Sequence, residues 1–73
     1  MTAEQTDAWM AGERVANARF RLNDSITVVS GEHEGAVGTV ISLLTILPEP
    51  RYLIELSAGR DIELFEHELQ SIG

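Results

Sequence analysis

Two triplets of the same three residues, Glu32-His33-Glu34 and Glu66-His67-Glu68, bring together side chains that bind metals or move protons. Imidazole and carboxylate groups are ligands for zinc and other divalent ions. If the fold brought the two triplets together, a site with two histidines would result. Two features oppose that reading. Neighbouring side chains in an extended segment point to opposite faces, so one triplet cannot converge on a point without a special turn. The spacing of a chelating motif is also missing. The triplets are therefore expected to be solvated polar turns, with no metal and no cofactor assigned to them.

Other chemistries have less support. The chain has no cysteine, and Ser25, Ser30, Ser42, Ser57 and Ser71 lie in no elbow or triad pattern. Gly31, Gly35 and Gly38 are not a phosphate loop, because no helix follows them and the chain has no lysine. The carboxylates fall in turns, where no apolar pocket would raise a pKa. A chain of 73 residues offers little volume for a closed site. The expectation is a protein that is not an enzyme.

The length bounds the answer to one domain that buries roughly 60% of its unfolded surface, a thin margin of stability. No disulfide or thiolate site can staple it. Apolar residues make up 44% of the chain, which suits a folded domain. Five arginines stand against twelve acids, for a formal net charge of -7. Phosphate recognition along a nucleic acid asks for the opposite balance. The N-terminus lacks a basic stretch followed by an apolar one, so no signal peptide is expected. The longest uncharged run, residues 35–48, is too short to cross a bilayer as a helix. The expected location is the cytoplasm, away from membranes.

The elements that must position these residues show in the periodicity. Thr2 and Gln5 fit a capping box. Ala8, Ala11, Val15, Ala18 and Leu22 recur at helical spacing, with Trp9 beside them. The spacing predicts a helix over residues 3–17, weakened by Gly12 by about 1 kcal/mol relative to alanine. So alanine-rich a helix needs to dock, through Trp9, Met10 and Val15. From Phe20 the period becomes two. Strands are predicted over residues 26–29, 36–44, 51–56 and 61–65, with a short last one after a helical turn at residues 66–69. Asn23-Asp24, the run from Gly31 to Gly35, the proline-bearing loop at residues 45–50, and residues 57–60 are the connections. The strand over residues 36–44 is apolar on both faces, as a bending strand shared by two layers must be, and Gly38 is expected to supply the bend or bulge, where a β-carbon would obstruct close backbone approach. Five short strands with hairpin-length connections argue a small, strongly bent antiparallel barrel.

The central stretch, Ile26-x-Val28-x2-Gly31-x3-Gly35-x2-Gly38-x-Val40, resembles the KOW motif of SH3-like barrels in ribosomal proteins and transcription elongation factors. Phe20-x-Leu22-Asn23-Asp24 is similar to the lead-in of many such barrels, with Asn23 where glycine is usual. Residues 51–56 with the Gly59 turn are similar to their third strand and distal hairpin. Residues 65–72 are similar to their closing turn and strand. The resemblance implies a mainly β fold, a five-stranded SH3-like (KOW-like) barrel over residues 20–73, and the helical spacing before it adds an N-terminal helical extension over residues 1–19. It also implies a nucleic-acid or ribosome-associated role as one alternative. RNA-binding KOW domains place lysine or arginine in the turn between the two glycines, and this chain has Glu32-His33-Glu34 there. Their RNA-binding residues are therefore not carried over. Arg14, Arg19, Arg21, Arg51 and Arg60 would have to share one face for that role.

An apolar surplus points elsewhere. A five-stranded barrel has room for about one apolar face per strand. Ile41, Leu43, Ile46, Leu47, Tyr52, Leu53 and Phe65 exceed that room. They are either covered by the N-terminal helix or exposed as an interface. The functional expectation is a non-catalytic module for protein interaction or oligomerisation, binding a protein partner or a second copy of itself through these residues. A small metal-binding protein built on the two triplets is the other alternative.

Overall fold

The computed structural model describes residues 2–15 and 17–72. Helix α1 spans Ala3–Met10. It opens with the expected capping box: the Gln5 N–H donates to Thr2 Oγ1 at 3.1 Å and the Thr2 N–H to Gln5 Oε1 at 3.0 Å. It ends well before residue 17, and Gly12 is the reason. At φ +85° this glycine occupies the left-handed position that closes a helix. The Gly12 N–H reaches the Trp9 carbonyl and the Glu13 N–H the Ala8 carbonyl, both at 3.0 Å. The glycine read as a weak interior residue is a stop signal. Residue 16, inside the expected helix, lies outside the described residues.

Five strands follow: β1 Ser25–Val28, β2 Val37–Thr45, β3 Arg51–Leu56, β4 Asp61–Phe65 and β5 Leu69–Ser71. A single 3-10 turn, Glu66–Glu68, separates the last two. The chain is mainly β, and all strand pairs are antiparallel in the order β4-β3-β2-β1-β5. The expected barrel does not close through hydrogen bonds, because β4 and β5 stay at the two edges of one sheet. Residues 20–22, despite their alternation, form an irregular lead-in to β1.

The bulges of strand β2 do not fall at Gly38. Gly38 is in register with both Ile26 and Leu56. The register slips between Val40 and Ser42 and again between Leu43 and Thr45, leaving Ile41 and Leu44 as the extra residues of two bulges. The close approach expected at Gly38 is present: a Cβ there would lie 2.6 Å from the Glu55 carbonyl oxygen and 2.9 Å from Ile54. The bulges have a second effect. They turn Val40, Leu43 and Ile46 inward at intervals of three, which strict alternation cannot do.

The core joins the N-terminal segment to the sheet. Trp9, Val15, Ala18 and Phe20 belong to the same buried cluster as Ile26, Val28, Val40, Tyr52 and Ile54. Trp9, Val15 and Ala18, from the segment expected as an extension, thus pack into one core with the strands. Trp9 Nε1 donates to the Phe20 carbonyl at 3.0 Å, and the Phe20 N–H donates to the Tyr52 hydroxyl at 3.3 Å. The Phe20 and Tyr52 rings meet edge to face, 5.5 Å apart. Met10, the third expected anchor, is exposed.

Candidate functional site

The two triplets have different surroundings. Glu32, His33 and Glu34 ride on a turn held by its backbone. Gly31 at φ +88° and Gly35 at φ +93° bracket it, in a region that favours glycine. The Gly35 N–H donates to the Val28 carbonyl and the Val28 N–H to the Ala36 carbonyl, both at 2.8 Å. Among the described residues, none of the three side chains of this triplet has a hydrogen-bond partner.

Every side chain of the second triplet has one. Glu66 Oε1 accepts from the Arg19 N–H at 2.6 Å and from the Tyr52 hydroxyl at 2.8 Å. His67 places both its Nδ1, at 2.7 Å, and its backbone N–H, at 2.9 Å, on Glu49 Oε2. Its ring stacks on Phe65 with centroids 5.9 Å apart. Glu68 Oε1 accepts from the Phe65 N–H at 2.9 Å. The hydrogen bonds that His67 gives Glu49 hold that carboxyl below its ordinary pKa. Burial pushes the Tyr52 hydroxyl well above its ordinary pKa, so it stays a protonated donor.

The second triplet adjoins the start of the turn that carries the first. The Val29 N–H donates to the Glu68 carbonyl at 2.8 Å, and a Cβ on Gly31 would lie 2.7 Å from Glu68 Oε2. His67, however, is engaged by Glu49. Among the described residues no three His, Cys, Asp or Glu side chains converge as metal ligands.

The apolar surplus divides in two. Leu43, Ile46 and Tyr52 are buried in the core with Trp9, so their assignment to an exposed partner-binding face is corrected. The bulges of β2 turn the first two inward, and the N-terminal segment covers them. Ile41 and Leu53 are half-buried. Leu47 is 77% exposed and Phe65 39%. Leu47 edges a shallow recess of about 320 Å³ with Gln5, Asn17, Thr45 and Ile46. The Glu66 N–H donates to the Pro50 carbonyl at 2.9 Å, and Glu49 holds His67. The loop carrying Leu47 and the turn after Phe65 are thus stitched together at one end of the sheet.

Sequence reasoning missed some exposed apolar side chains. Met10, Val29, Val37 and Ile72 are also more than one third exposed. Strict alternation about the buried Ile26 and Val28 would have flagged Val29. Among the arginines, Arg51 is taken by Glu63, 3.4 Å away. Among the described residues no helix is long and apolar enough to cross a membrane. No family model matches the chain, and a search of curated proteins found no match either.

Proposed function

We propose that the chain is a non-catalytic SH3-like domain of the KOW type that works as a protein-interaction or self-association module, through the end of the sheet that carries Leu47 and Phe65. The observation that carries this reading is Leu47, 77% exposed on a loop that is nonetheless tied down. Pro48 and Pro50 stiffen that loop, and Glu49 anchors it to His67. A large apolar side chain on an ordered support loses little entropy when a partner covers it. Phe65, 39% exposed on the neighbouring segment, widens the apolar area. The strand order and the bulged β2 support the SH3-like reading, and fold alone leaves function to the surface.

Sedimentation of the purified chain over a range of concentrations tests the reading. The wild type should self-associate, or bind its partner, in a way that Leu47→Asp and Phe65→Asp each abolish without unfolding the domain. A strict monomer whose solubility neither substitution changes overturns it.

A further inference from the structure

Three of the five arginines, Arg14, Arg19 and Arg21, fall within one short stretch that contains no acid, in a chain with twelve acids. All three are exposed, and among the described residues no carboxylate pairs with any of their guanidinium groups. The acids that reach this stretch are turned to its backbone. Glu66 Oε1 accepts from the Arg19 N–H at 2.6 Å, and Asp24 Oδ2 accepts from the Arg21 N–H at 2.8 Å. Each carboxylate is thereby partly satisfied while the guanidinium groups keep their donors free. Arg19 also lies over the Phe20 ring, 5.2 Å from its centre, which limits where its head group can go. Arg14 and Arg19 line a shallow recess of about 250 Å³, floored by Val15 and Ala18 and edged by Asn17. Asn17, between the two arginines, sits at φ +70° in the left-handed region.

We infer that this recess is a binding site for a phosphate group, held by the forked donors of Arg14 and Arg19. Arginine suits this task because its planar donors match two phosphate oxygens at once. Added solubility does not explain these cations, since an acidic chain gains more from further acids. The ligand must be compact. A net charge of -7 repels a long polyanion, whereas screening over about 8 Å confines the repulsion felt by a single phosphate at physiological salt. The site shares only Asn17 with the recess beside Leu47 and does not depend on the interaction reading above.

Amide and arginine side-chain NMR spectra of the full chain, titrated with inorganic phosphate at constant ionic strength, test the inference. Saturable shifts confined to residues 14–21 are expected. The double variant Arg14→Gln/Arg19→Gln should weaken binding by at least about tenfold while its other amides stay in place. Arg51→Gln, which loses only the contact with Glu63, should bind as the wild type does. O-phosphoserine in place of inorganic phosphate distinguishes a modified side chain from the free ion, and tighter binding of either supports the site. Shifts that match those caused by chloride, equal affinity for acetate, or unchanged binding in the double variant overturn it. So does an RNA oligonucleotide that binds these arginines more tightly than phosphate.

Discussion

Glu32-His33-Glu34 and Glu66-His67-Glu68 have the same composition and opposite roles. The first decorates a turn that two glycines and backbone hydrogen bonds already define. The second lies where three parts of the chain meet: the end of β4, the loop before β3 and the N-terminal segment. There, donors wait for acceptors. The Arg19 N–H, which belongs to the segment that brings Trp9 and Val15 to the core, finds its acceptor in Glu66. The buried Tyr52 hydroxyl does the same. A polar group left unpaired on folding costs about 1–3 kcal/mol, so the acceptor matters as much as the apolar contacts beside it. A charged triplet acquires a role only where the tertiary structure brings it unsatisfied donors.

The largest test of this contrast removes what the second triplet supports. Trp9→Ala takes a fully buried indole from the core and should cost about 3–5 kcal/mol in urea denaturation, close to the whole stability of so small a domain. Trp9→Phe, which loses only the hydrogen bond to Phe20 and part of the ring, gives a foldable background. In that background a second change at Glu66 should cost less than it does in the wild type. Additivity within about 0.5 kcal/mol would show that Glu66 does not act through the N-terminal segment.

Glu66→Ala alone should cost about 2–3 kcal/mol, because two charge-assisted hydrogen bonds lose their acceptor at once. Glu66→Gln, which keeps a carbonyl oxygen, should cost less, and the difference reads the share due to charge.

A pH series sharpens the contrast further. Because the Glu49 carboxyl is held below its ordinary value of 4.5 by His67, the folded state releases that proton more readily than the unfolded one. Its contribution to stability is therefore present above the ordinary pKa and is lost as pH falls through the lowered one. Urea midpoints followed from about pH 7 to about pH 3 should fall less steeply in Glu49→Gln than in the wild type.

The smallest effects are expected at the first triplet. Glu32→Gln and Glu34→Gln should each change stability by no more than about 0.5 kcal/mol. A loss above about 1 kcal/mol at either would remove the contrast, since it would mean that the turn also depends on its side chains.

Much of the fold was legible because its signals are local. Thr2 and Gln5 make their capping box from residues three apart. The turn around Gly59 and the helical turn at residues 66–68 stand where short-range patterns put them. Gly12 was misread because propensity treats a glycine as a weak helix former, while its positive φ and the N–H groups of Gly12 and Glu13 made it a terminator. Leu43, Ile46 and Tyr52 were misassigned for a different reason. Alternation counts residues by twos, and two bulges in β2 change that count. No pattern within β2 shows where its register against β3 will slip, because the slip is a property of the pair. The arginine stretch was visible in the chain, but its freedom from partners depends on which way Glu66 and Asp24 turn.

The sequence by itself determined the five strands, their order along the chain, the cap of the helix and the turns that carry Gly35 and Gly59, since each depends on residues a few positions apart. Only the tertiary structure decided which of the two identical triplets is bound into the fold and which apolar residues of β2 are hidden. It also decided which arginines remain unpaired. Each of these depends on groups far apart in the chain, as Arg19 and Glu66 are, and is set by the register of the strands and the docking of Trp9, not by the identity of the residues themselves.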